Sequence, residues 1–115
     1  RVNVKKLNYL GKADLYHLFT GNRLAKSVVG LAYVGIACRR DLSEYSVGLS
    51  RLTNSAVQPL ITAHEIAHNL GATHIDGPNS IMSPVLNGGK NIFIPISVEQ
   101  ILSYVGDYGI CLSDI

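Results

Sequence analysis

The densest chemistry in the sequence lies in His64-Glu65-Ile66-Ala67-His68 and its continuation, Asn69-Leu70-Gly71-Ala72-Thr73-His74. On a helix, residues four apart sit about one turn up and roughly 40° around the axis, so His64 and His68 present their imidazoles to one metal ion. Taken alone, the pentapeptide reads equally well as a surface pair or a pair of core histidines. The continuation favours the metal reading, because Gly71 can break the helix and reverse the chain so that His74 returns to face the first two. Three neutral imidazoles leave the fourth tetrahedral position of zinc open to water, which marks a catalytic rather than a closed structural site. Zinc lowers the pKa of its water to about 7 and so supplies a nucleophile at neutral pH. Glu65 then has the task of general base: it takes the proton from the attacking water and delivers it to the leaving amine, while the metal stabilises the oxyanion.

Met82, in Ser80-Ile81-Met82-Ser83-Pro84, completes a longer pattern. The three-histidine motif followed by this methionine resembles the metzincin clan of zinc proteases. The resemblance implies zinc held by His64, His68 and His74, catalysis by Glu65, and Met82 as an apolar base beneath the imidazoles. Within the clan the chain is most similar to the adamalysin or reprolysin group, which includes the ADAM proteases. His17-Leu18-Phe19-Thr20-Gly21, Val29-Gly30-Leu31-Ala32-Tyr33-Val34-Gly35 and Ser46-Val47-Gly48 resemble the strands ahead of that group's active-site helix.

On spacing alone, Cys38 and Cys111 are either a disulfide or two buried thiols. The resemblance implies that they pair, and with pairing a secreted, extracellular protein. It further implies a calcium site at Asp14, the carbonyl of Cys111 and Asp114. A protein or peptide substrate would lie extended along an edge strand within residues 27–37. Ser83, Pro84 and Val85, with Leu86, would wall the pocket for the residue after the scissile bond. Two departures stand out. Ile75 separates His74 from Asp76, where the group carries aspartate directly after the third histidine, and the loop to Met82 has the short length seen in matrix metalloproteases.

The elements that must position these residues are readable from pattern. Residues 14–19, 27–37 and 45–50 read as strands, the second most clearly, with a polar loop at 38–44. Gly30, Gly35 and Gly48 weaken these strands unless another backbone comes close. Ser55 and Gln58 fit a capping box, with Pro59 in the first turn of a helix that runs through Ile61, Ile66 and Leu70 to Gly71. Residues 72–95 form a long loop region, and a last helix spans 97–105 with Ser97 as N-cap and Glu99 in its first turn. The fold class is therefore α+β, a metzincin-like twisted mixed β-sheet with an active-site helix, a Met-turn and a C-terminal helix. Residues 1–115 read as one domain, with an upper part to about 71 and a lower part from about 72. Set against a reprolysin domain, the N-terminal strands and helices are missing. The sequence accordingly reads as the C-terminal portion of a catalytic domain, or as one of two associated chains, the other carrying the upstream segment.

Composition narrows the classes. With 47% apolar and 16% charged residues in 115, the chain can bury a core. Its net charge of +2 is too mild and too scattered for a nucleic-acid or membrane surface. No apolar run reaches the roughly 18 residues that cross a bilayer. His17 reads as a satisfied strand histidine. The rival to a protease is an extracellular zinc-bearing interaction or adhesion module that no longer cuts. Glu65 argues against it, because silencing is most simply achieved by losing the base or a ligand.

Overall fold

Strand pairing begins from Val47–Arg51, which takes a neighbour on each side in the computed structural model. The structure describes residues 13–85 and 91–113. Three strands, β1 (Tyr16–Thr20), β2 (Gly30–Ala32) and β3 (Val47–Arg51), form a sheet of order β1-β3-β2. β1 runs parallel to β3 with His17 opposite Gly48, and β2 runs antiparallel with Gly30 opposite Ser50. The sheet is mixed, as expected. Alternation along each strand puts His17, Gly30, Gly48 and Ser50 on the face that meets α1 (Gln58–Asn69). Leu18, Leu49 and Leu31 align on the opposite face, where Leu18 and Leu31 are exposed.

The strand expected over 27–37 is confined to Gly30–Ala32. Lys26 and Ser27 have φ of 55° and 58°, and Gly35 and Cys38 have φ of 69° and 63°, values that no strand sustains. After Ala32 the backbone turns to the end of α1 instead. Gly35 N–H donates to the His68 carbonyl, and Ile36 and Ala37 N–H both donate to the Asn69 carbonyl. Of the apolar residues in this stretch, Ile36 and Ala37 are buried at that junction, whereas Val29, Leu31, Tyr33 and Val34 are exposed. Residues expected as loop form a 3-10 turn at Arg40–Tyr45.

The capping box expected from Ser55 and Gln58 is not formed. Asn54 Oδ1 accepts from the N–H groups of Ala56 and Val57, at 3.1 Å each, while Gln58 Oε1 accepts from Thr53 N–H at 2.8 Å. The short asparagine amide reaches the donors two and three residues on without ordering a longer side chain. At the other end, Gly71 N–H donates to His68 and Ala72 N–H to Ala67, both at 2.9 Å, with Gly71 at φ 94°. This is a Schellman closure, and the positive φ is the reason for glycine.

The last helix, α2, spans Pro95–Tyr108. Ser97 is therefore inside it, fully buried, with a hydroxyl that has no hydrogen-bond partner among the described residues. Pro95 starts the helix earlier because its fixed φ suits the first turn and it has no N–H to satisfy there. Ala67, Ala72, Ile81 and Met82 form a buried cluster, with Leu60, Ala63, Phe93 and Ile101 packed around it. Tyr104 joins α2 to the rest: its ring lies against Gly35 and Gly71, and its hydroxyl donates to the Ala37 carbonyl at 2.6 Å. Cys38 and Cys111 are joined in a disulfide across 73 residues. No helix among the described residues is long and apolar enough to cross a membrane.

Candidate metal centre

α1 carries His64 and His68 one turn apart, and the Schellman turn returns His74 to them. The three Nε2 atoms lie 3.0 to 3.1 Å from one another. His64 Nδ1 faces the Ile81 carbonyl at 2.6 Å and His68 Nδ1 faces the Ala72 carbonyl at 2.7 Å. A carbonyl can only accept, so each Nδ1 holds the proton and each Nε2 is a bare lone pair. Two such lone pairs at 3.0 Å repel unless a cation lies between them. Protonation is opposed as well, since burial first, and the neighbouring imidazoles next, lower the His64 pKa to about 4, against the raising effect of the Ile81 carbonyl. His68 is lowered for the same leading reason. Zinc bound tetrahedrally to nitrogens at about 2.0–2.1 Å holds them roughly 3.3 Å apart. The cluster is a few tenths of an ångström tighter, and its donors fit that ion.

Glu65 follows His64 on the helix and is 5% exposed. Its carboxylate lies against Gly30 of β2, where a Cβ would collide with Oε1. Burial raises its pKa to about 7 in the metal-free chain. A nearby cation acts the other way, favouring the carboxylate. The glycines are thus explained by side chains and not by backbone approach: Gly30 makes room for Glu65, Gly48 for His17, and Gly35 for Tyr104.

Met82 is fully buried in the cluster with Ala67 and Ala72, which precede His68 and follow Gly71. Its carbonyl accepts from Ile75 N–H at 2.9 Å. Asn69 escaped notice in the sequence, yet it is 1% exposed and its amide donates to the Tyr33 carbonyl at 2.9 Å and the Val47 carbonyl at 3.3 Å. It ties the end of α1 to the sheet. The carbonyls of Ile81 and Ala72 were equally invisible, because a backbone acceptor leaves no mark in residue type.

Residues 2–75 match the family model of reprolysin-like metallopeptidases of family M12B. The chain belongs to that family. The matched stretch runs from the start of the chain past all three histidines. A zinc metalloproteinase of Deinagkistrodon acutus, recombinant fibrinogenase II, is 38% identical over 68 residues, covering 57% of this chain and 28% of its own length. This reprolysin-like chain therefore spans under a third of that relative.

Other expected site residues are not gathered at the reprolysin-like centre. Asp14 is exposed ahead of β1, Cys111 is in the disulfide, and Asp114 lies outside the described residues. Among the described residues, the one metal-competent group of three or more side chains is His64, His68 and His74. Ser83 is half-buried and Pro84 and Val85 are exposed just after Met82, while Leu86 lies outside the described residues. Asp76 is exposed. His17 is half satisfied: Nε2 shares a hydrogen bond with the Ser50 hydroxyl at 2.7 Å, and Nδ1 is buried without a partner among the described residues.

Proposed function

We propose that this chain carries the centre of a zinc-dependent endopeptidase, with Glu65 as general base. The convergence of three Nε2 atoms within 3.1 Å, two of them with Nδ1 facing carbonyls, carries the reading. Zinc, when bound, polarises the scissile carbonyl and activates the attacking water. His64, His68 and His74 hold it as neutral ligands. Glu65 takes a proton at its carboxylate and returns it to the leaving amine.

Among the described residues β2 is an edge strand, and Glu65 lies against it at Gly30. A peptide laid along that edge by strand addition passes the base. Ser83, Pro84 and Val85 then flank the segment after the scissile bond. In this reading residues 1–115 belong to one catalytic domain, with the sheet and α1 in its upper part and residues from 72 in its lower part. The Cys38–Cys111 bond suits an oxidising, extracellular setting. Calcium at Asp14, the Cys111 carbonyl and Asp114 rests on the resemblance to reprolysins alone.

The test is cleavage of a quenched peptide library by the full chain beside Glu65→Ala, with zinc measured on both. Cleavage by the parent, lost in a variant that keeps its zinc, supports the reading. A parent that holds zinc and cuts nothing sinks it in favour of a silent binding module.

A further inference from the structure

The three imidazoles are not held alike. His64 and His68 stand on one helix, each with its Nδ1 against a carbonyl. His74 stands on an exposed turn, and among the described residues its only hydrogen-bond-range contacts are the two at Nε2. Its place must come from the backbone on either side. Downstream, Ile75 N–H donates to the Met82 carbonyl and the Ser80 hydroxyl donates to the Ile75 carbonyl, both at 2.9 Å.

Upstream, the hold comes from α2. Gln100 Oε1 accepts from Thr73 N–H at 3.0 Å, and Gln100 Nε2 donates to Thr73 Oγ1 at 2.9 Å. The amide's orientation is fixed, since an N–H cannot accept. Four residues further along the same helix face, Tyr104 packs on Gly71 at the other end of the turn. One face of α2 thus grips the turn that carries His74 at both ends.

We propose that Gln100 is a positioning residue for the metal centre, holding His74 in the triad through Thr73. The proposal rests on the zinc reading above and deepens it. Gln100 lies beyond the stretch that matches the family model. It touches neither metal nor substrate. Its contribution is to keep the third ligand in place before the metal arrives; partners that bond a ligand directly change metal affinity by roughly 10–100-fold, and Gln100, one residue removed, is expected at the lower end of that range.

The full chain, Gln100→Ala and Gln100→Glu should be titrated with zinc against a chromophoric chelator, and with cobalt(II) while its visible ligand-field spectrum is recorded. Gln100→Ala should bind zinc about tenfold more weakly and show an altered cobalt spectrum. Gln100→Glu keeps an acceptor for Thr73 N–H and can also accept from the Thr73 hydroxyl, so it should recover the parent's spectrum and bind within about twofold of it. Unchanged affinity and spectrum in Gln100→Ala would overturn the proposal, even if thermal stability fell, and so would a glutamate variant as weak as the alanine one. A parent that binds no zinc overturns the zinc reading itself, and this inference with it.

Discussion

The carboxylate of Glu65 occupies the space directly over Gly30, on the strand that ends the sheet. A methyl group there must displace the carboxylate or push α1 off β2, and overpacking of this kind costs roughly 1–3 kcal/mol. Gly30→Ala should therefore lower the urea midpoint and reduce kcat more than it raises KM. Gly21, where an added Cβ would meet nothing within 4 Å, provides the control. Gly21→Ala should change stability by less than about 0.5 kcal/mol; equal effects at both glycines would count against the close approach.

Replacing Glu65 by Gln keeps shape and removes the carboxylate proposed as the base. General acid–base groups contribute about 10²–10⁴ in rate, so kcat/KM on a peptide should fall within that range while zinc content holds. Dialysis against a chelator should abolish cleavage in the parent, and added zinc should restore it. A Gln variant that still cuts at the parent rate would remove Glu65 from the chemistry.

Burial moves two neighbouring groups in opposite directions in the metal-free chain. His64 is lowered from 6.5 to about 4, so its contribution to stability is present above 6.5 and is lost as pH falls toward 4. His68 is lowered too and adds to that slope. Glu65 is raised from 4.5 to about 7, so its contribution is present below 4.5 and is lost as pH rises toward 7. Between 4.5 and 6.5 the carboxyl opposes the imidazoles. Metal-free Glu65→Gln should accordingly lose stability on acidification more steeply than the parent, read as urea midpoints at both ends of the window. Parallel slopes would contradict the opposed shifts.

Gly71 meets two demands at once, a φ of 94° and the approach of Tyr104 Cβ to 2.8 Å from any added Cβ. Either alone costs of order 1–3 kcal/mol. Gly71→Ala should cost about 2 kcal/mol or more in denaturation and weaken zinc binding, because the turn it closes returns His74. Retained midpoint and zinc affinity would show that the turn tolerates a side chain.

Much of this centre was legible in the sequence because its information is local. His64 and His68 are set by helical spacing, and Gly71 announces the reversal that His74 needs. The mixed sheet and the two helices were legible in kind. The errors arose where distant contacts override local pattern. Residues 33–37 look like strand but pack on the end of α1, where Asn69 takes the N–H groups of Ile36 and Ala37. Ser97 looks like a cap but is buried inside the helix that Pro95 begins. Ser55 does not cap the helix, which starts at Gln58, and the turn ahead of it is closed by Asn54 instead. Gln100 and Tyr104 act on a turn some 30 residues before them, and no periodicity encodes such a meeting.

The bond between Cys38 and Cys111 encloses α1, the three histidines, Met82 and α2 in a single covalent ring. One cleavage anywhere inside that ring opens it without separating the pieces. A nicked molecule would keep its full mass on a non-reducing gel and fall into two bands only after reduction. Every residue assigned to the metal centre would stay tethered through such a cut.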